Sequence, residues 1–222
     1  MYPVCLNISD KLCVVIGGGR VAERKIRGML AGAGRVRVVS PALTTTLHDL
    51  VGHNAIEWRE KPYSITDLEG AFLVFAATNT PQVQEVVLRD AHAAGLLVNI
   101  ADNPAACDFQ VPATIRRGDL ILSVATKGKS PAVAAMVKRR LEHDFGEEYA
   151  HLTVLASALR DHILAENALS HEEKKILFQK ILHEDLVDWL RDRRWDRIQQ
   201  HLQTVFGRPV DLDPETLTKE TP

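Results

Sequence analysis

The sequence predicts an α/β fold: a doubly wound parallel sheet, then a β-hairpin, then a small C-terminal helical region. Three observations carry this. Short apolar runs in roughly the first hundred residues alternate with stretches of helical period. A glycine-rich turn joins the first run to the first helical stretch. Beyond Ser130 the strand-like runs stop and the pattern is helical. Apolar strands joined by helices argue for a parallel sheet covered on both faces. Right-handed crossovers then wind it into a Rossmann-like domain.

Each element has its own signal. Lys11 to Ile16 is an apolar strand leading into Gly17-Gly18-Gly19. Val21 to Leu30 is a helix that Gly32-Ala33-Gly34 ends. Val36 to Val39 is the next strand, followed by a weaker helix from Leu43 to Val51 and a short strand at Ile56 to Trp58. Ala71 to Ala76 reads as a buried strand, Pro81 to Ala94 as a helix with proline in its first turn, and Leu96 to Ile100 as another buried strand. The pattern changes after Pro104. Phe109 to Arg116 and Leu120 to Thr126 flank Arg117-Gly118-Asp119 and predict an antiparallel hairpin outside the parallel sheet. Helices are expected at Pro131 to Asp144, Glu147 to Glu166, His171 to Asp188 and Arg193 to Val205. Ser170 and Glu173 form a capping-box signature for the third. The division expected is 1–104, 105–145, 146–207 and a flexible tail at 208–222, where Pro209 and Pro214 accompany little apolar content.

Composition excludes several classes. The 222 residues are 45% hydrophobic and 25% charged, which fits a globular chain and not a disordered one. A net charge of -2 argues against a general nucleic-acid or membrane partner. No apolar run approaches the ~18 residues of a membrane span. The start of the chain lacks a basic region before its apolar run, so no signal peptide is expected. Cys5, Cys13 and Cys107 are odd in number and form no CxxC pair, which fits a reducing cytoplasm. No dense metal-ligand motif appears among the nine histidines, so no resident metal is expected.

Gly17-Gly18-Gly19-Arg20-Val21-Ala22 reads as G-x-G-x-x-A between a strand and a helix. Gly17 permits the tight turn, Gly19 lets a pyrophosphate approach the backbone, and Ala22 lets the helix lie close to the strand. The helix N-terminus offers N–H groups and partial positive charge to phosphates. The second strand ends at Ser40-Pro41, with no acidic residue for an adenosine ribose. Ser40 fits a ribose hydroxyl, or a 2′-phosphate with Arg35 or Arg37 in reach, so the choice between NAD and NADP stays open on residues alone. Ala76-Ala77-Thr78-Asn79 closes another strand, and Ala77 and Thr78 read either as room for a cofactor or as a small-residue strand end. Asp102 stands at the end of a third strand, as a carboxylate at the ligand edge or as the residue ordering the Asp102-Asn103-Pro104 turn. Cys107 is read as a small packed residue.

Four motifs occur in order: Gly17 to Lys25, Ala76-Ala77-Thr78-Asn79, Val98-Asn99-Ile100-Ala101-Asp102 and Gly128-Lys129-Ser130-Pro131. Together they resemble the precorrin-2 dehydrogenase family of sirohaem biosynthesis, clearly over residues 2–150 and weakly beyond. The resemblance implies NAD-dependent oxidation of precorrin-2 to sirohydrochlorin. Some members of that family also insert ferrous iron, as a substrate. It implies a Rossmann domain, a dimerisation region at the hairpin, a helical domain and a homodimer. It gives Asp102 the essential-aspartate position, and it places dinucleotide contacts at Gly19-Arg20-Val21 and Pro41-Ala42-Leu43. A stand-alone enzyme is expected, since no methyltransferase segment follows.

Precorrin-2 is a polycarboxylate, so cations and N–H donors are needed. Lys127-Gly128-Lys129-Ser130 supplies them beside a helix start, where ordinary capping by Ser130 and Pro131 also accounts for the pattern. Two other readings stand beside this one. The first is a non-catalytic NAD(H)-sensing Rossmann module, which needs the glycine turn but not Asp102. The second is an NADP-dependent dehydrogenase of another small molecule. Lys138-Arg139-Arg140 is a weak nucleic-acid candidate, because Glu142 and Asp144 follow it closely.

Overall fold

The computed structural model describes residues 1–167 and 169–210. They form two compact units, Met1–Val111 and a second that starts at Pro112. The expected tail lies outside the described residues beyond residue 210.

In the first unit five parallel strands lie in the order β3-β2-β1-β4-β5. They are β1 (Leu12–Ile16), β2 (Arg35–Val39), β3 (Glu57–Arg59), β4 (Ala71–Ala76) and β5 (Leu97–Ile100). The intervening helices are α1 (Arg20–Leu30), α2 (Thr45–Gly52) and α3 (Pro81–Ala93). A 3-10 turn at Ile65–Leu68, not expected from the pattern, precedes β4. β1 is buried along its whole length, as the central strand of a sheet covered on both faces must be. Its alternation divides the core. Cys13 and Val15 pack with Ala22 and Ile26 of α1 and Leu47 of α2. Val14 and Ile16 pack with Val87 and Ala91 of α3. The order reverses between β1 and β4, so the ligand crevice of this fold opens at their carboxyl ends.

β5 is the edge strand, and the chain itself closes that edge. Asp108 donates its N–H to the Val98 carbonyl at 3.0 Å and accepts the Val98 N–H at 2.9 Å. Cys107 Sγ accepts the Ile100 N–H at 3.1 Å. The start of the strand expected from Phe109 continues this edge segment, with the Phe109 carbonyl accepting from Asn99 Nδ2 at 2.9 Å, and the strand β6 spans only Ala113–Arg117. Pro112, which has no N–H for a ladder, separates the two roles.

The second unit holds β6 and β7 (Leu120–Val124), an antiparallel pair with a two-residue loop. Gly118, with φ +54°, turns it. Then follow α4 (Pro131–Asp144), α5 (Glu148–Ala165), α6 (His171–Ile181), α7 (Asp185–Arg191) and α8 (Trp195–Phe206). The capping box of α6 is present, with Ser170 Oγ accepting from the Glu173 N–H. The single helix expected from His171 to Asp188 is two. On a continuous helix Ile181 and Leu190 would face about 180° apart. The break at Leu182–Glu184 lets Ile181, Leu186 and Leu190 all enter one core with Leu155, Leu159 and Leu202. The last helix starts at Trp195, because Arg193 adopts a left-handed φ of +54° after α7.

Candidate functional site

The glycine turn carries out three separate tasks. Gly17 has φ +119°, and a Cβ there would lie 2.3 Å from the Ala77 carbonyl oxygen. The turn after β1 therefore packs directly on the end of β4. Gly18, a variable position in the motif, is equally constrained. A Cβ on it would lie 2.1 Å from the Ala42 carbonyl oxygen, and its own carbonyl accepts the Thr44 N–H at 3.0 Å. Sequence reasoning missed this, because the loop after β2 supplies the constraint. Gly19 is different: a Cβ on it would meet nothing within 4 Å. Its bareness serves no contact inside the protein, which fits close approach by a phosphate. Gly19 is also the N-cap of α1 and provides no side-chain cap, so the first N–H groups at Arg20, Val21 and Ala22 remain for a ligand. Arg20 is exposed, and Ala22 is buried against the sheet. These residues fit the phosphates of a dinucleotide.

At the end of β2, Ser40 is buried, and its hydroxyl donates to the Ala42 carbonyl at 2.7 Å. Trp58 Nε1 holds the Ser40 carbonyl at 3.0 Å. The hydroxyl shapes the Ser40-Pro41-Ala42-Leu43 loop. Thr44 then caps α2 and donates to Glu23 of α1 at 3.0 Å. The expectation that Arg35 or Arg37 lies within reach of Ser40 does not hold. Arg35 opens β2 and stands at its opposite end. Arg37 is held by the Glu57 carboxylate at 2.9 Å and by the carbonyls of Asp67 and Glu69 at 3.1 Å. Arg59 and Lys61 also have partners, in the buried carboxylate of Asp67 at 2.8 Å each. Burial pushes the Asp67 carboxyl up, but hydrogen bonds from Lys61, Arg59 and Ser64 outweigh it and bring the pKa down to about 2.

Ala77 and Thr78 continue from β4, and Asp102 follows β5, its neighbour in the sheet. The Ala101 N–H still donates to the Ala76 carbonyl at 2.8 Å, so pairing continues up to Asp102. Asp102 is exposed and takes the left-handed φ of +60°. Gln84 of α3 joins the two strand ends, donating to the carbonyls of Thr78 at 2.7 Å and Ala101 at 3.4 Å. Nothing in the sequence pattern singled out Gln84. Cys107 lies below the Asp102 turn. Its Sγ accepts the Ile100 N–H and donates to the Asn103 carbonyl at 3.2 Å, which accords with a packed residue. Lys25, quoted in the motif but given no role, reaches Asn99 Oδ1 at 2.6 Å and lies over the Phe75 ring at 5.2 Å. Burial, then Arg24, lowers its pKa, while the Cys107 and Asp102 charges oppose this.

In the second unit, Ser130 Oγ accepts the Val133 N–H at 3.2 Å and caps α4, with Pro131 at the first helical position. Lys127 and Gly128 have φ of +53° and +76°. Lys127, Gly128 and Lys129 are exposed. Of the basic trio on α4, Lys138 pairs with Glu142 and Arg140 with Asp144. Among the described residues no cluster of His, Cys, Asp and Glu could hold a metal ion, and no helix is long and apolar enough to cross a membrane.

Comparison with known proteins agrees with this geometry. Residues 4–113 match the family model described as "Putative NAD(P)-binding". Over 213 residues the chain is 31% identical to a siroheme synthase of Nitrosomonas europaea, covering 96% of this chain and 45% of that one. It is 34% identical over 208 residues to a siroheme synthase of Xylella fastidiosa, covering 93% and 44%. The chain thus spans less than half the length of these curated relatives. A solved structure of SirC, precorrin-2 dehydrogenase, superposes with a TM-score of 0.75 at 26% identity, covering 93% of this chain and 100% of that one. With the glycine turn and the strand order present, the chain holds a putative NAD(P)-binding region over residues 4–113, and it is similar in sequence to the matched part of the siroheme synthases and in fold to a precorrin-2 dehydrogenase.

Proposed function

We propose that the protein oxidises precorrin-2 to sirohydrochlorin with NAD as acceptor. The observation that carries this reading is the placement of Asp102. It is an exposed carboxylate at the ligand edge of the sheet, in a turn tied through Gln84 to the strand end beside the glycine turn. Dehydrogenation removes a hydride and a proton from the macrocycle. The dinucleotide, when bound, supplies the hydride acceptor. Asp102 takes the proton on a carboxylate oxygen, which its exposure allows. The turn at Gly17-Gly18-Gly19 and the N–H groups of Arg20 and Val21 hold the phosphates. The Ser40 to Leu43 loop forms the wall beside them, with Ala77 and Thr78 opposite. NAD is preferred to NADP in this reading because Arg37, Arg59 and Lys61 are bound to acceptors of the protein, and Arg35 lies at the far end of β2.

Lys127, Gly128, Lys129 and Ser130 bind carboxylates of the tetrapyrrole, supported by two exposed ammonium groups beside a helix start. Assembly as a cytoplasmic homodimer through the hairpin region belongs to the same proposal. It is supported by exposed Ile121, Val133 and Met136 in the second unit. Free Cys5, Cys13 and Cys107 agree with a reducing compartment.

The test is anaerobic incubation with enzymatically generated precorrin-2, with NAD and NADP in separate cuvettes. Conversion to sirohydrochlorin with NAD is expected. An enzyme-dependent spectral change on then adding ferrous iron would assign iron insertion to the same protein. No conversion by folded protein that still binds NAD would overturn the reading in favour of a dinucleotide-sensing module.

A further inference from the structure

Asp102 makes no side-chain hydrogen bond among the described residues, so the backbone of its turn is what fixes where its carboxylate stands. That turn is closed below by Cys107, whose Sγ bonds Ile100 and Asn103 on either side of Asp102. The segment carrying Cys107 is held in turn by the buried amide of Asn99, whose Nδ2 donates to the Phe109 carbonyl at 2.9 Å. An amide can flip, and flipping would turn Oδ1 toward that carbonyl and lose the bond. Lys25 prevents this. Its ammonium donates to Asn99 Oδ1, which only an oxygen can accept. The Phe75 face beneath the ammonium favours the charged form at that place. Phe109 packs edge-on against the same Phe75 ring, so one ring supports both ends of the chain of contacts. Lys25 forms no ion pair with any carboxylate among the described residues, so its charge is not consumed elsewhere on the surface.

We propose that Lys25 is a positioning residue for the reaction: it orients the Asn99 amide and through it holds the turn that presents Asp102. This rests on the reading of Asp102 as proton acceptor. Displacement of a reacting group by about 1 Å can cost 10- to 100-fold in rate. The variants are Lys25→Met, which keeps the length and loses the donor, and Lys25→Arg, which keeps a donor.

K25M is expected to lower kcat for precorrin-2 roughly 10- to 100-fold, with KM and the NAD Kd changed less than about threefold. K25R should restore kcat to within about threefold. Adding K25M to Asn99→Leu should cause little further loss, since residues acting as one unit are not additive. Hydrogen exchange supplies a reading without turnover: the Ile100 amide should exchange faster in K25M and return toward wild type in K25R. Wild-type kcat in K25M, equal losses in K25M and K25R, or unchanged Ile100 exchange would each overturn the proposal. Wild-type protein that converts no precorrin-2 would instead remove the functional reading, and the exchange result would still decide whether Lys25 holds the turn.

Discussion

Gln84 donates its side-chain amide to the Thr78 carbonyl at 2.7 Å, and the same nitrogen lies 3.4 Å from the Ala101 carbonyl. One side chain on α3 thereby ties the loop after β4 to the turn that carries Asp102. Gln84→Leu keeps the bulk and loses both bonds. It should destabilise the protein by about 1 kcal/mol, and lower kcat more than it weakens NAD binding. Thermal unfolding and steady-state kinetics check this.

The three glycines should separate in a binding experiment. Gly17→Ala places a methyl group on the Ala77 carbonyl at a positive φ, so both stability and NAD affinity should fall. Gly19→Ala meets open space at φ -87°, which alanine adopts freely. Its stability should change by less than about 1 kcal/mol, while NAD affinity drops at least about tenfold. Calorimetric titration with NAD and thermal melts of the two variants distinguish these outcomes.

Asp102→Asn retains the shape and tolerates the left-handed conformation, but removes the proton acceptor. A fall in kcat of roughly 100-fold or more is expected, with NAD binding retained. Full turnover by folded D102N would show that Asp102 only orders its turn.

Replacing Lys127 and Lys129 together with Ala should raise the KM for the tetrapyrrole more than it lowers kcat. Both side chains are exposed, so the fold should be unaffected. An unchanged KM would remove this segment from the substrate site.

Asp67 sets a pH dependence of stability. Its folded pKa of about 2 lies below the unfolded value of about 3.9. A depressed carboxyl stabilises the fold above the unfolded pKa and loses that contribution as pH falls through the folded one. About 2 kcal/mol should therefore be present at neutral pH and disappear between about pH 4 and 2. Asp67→Asn should lower neutral stability and flatten this part of the curve, measured by urea unfolding across the range.

How much of this was legible in the chain depends on the distance over which each signal acts. The strand-turn-helix around Gly17, the buried run of β4 and the Ser170–Glu173 capping box are local patterns, and the structure contains each of them. The strand expected from Phe109 begins only at Ala113, because a strand-like composition also suits the extended segment that follows Cys107 and Asp108 along the sheet edge. Pro112 was the available signal. The single helix expected from His171 divides because only packing requires Ile181 and Leu190 to face the same core.

By itself, the sequence determined the α/β class, the parallel sheet, the glycine turn and Asp102 at a strand end, since periodicity, glycine and chain direction are written into adjacent residues. Only the tertiary structure decided that Gly18 is constrained by Ala42, that Arg37 is taken by Glu57, and that Lys25, Asn99 and Gln84 surround the turn of Asp102. Those relationships join residues 6 to 74 positions apart. Hydrogen bonds and close packing act over a few ångströms in space, so sequence spacing does not reveal them until the sheet has brought the strand ends together.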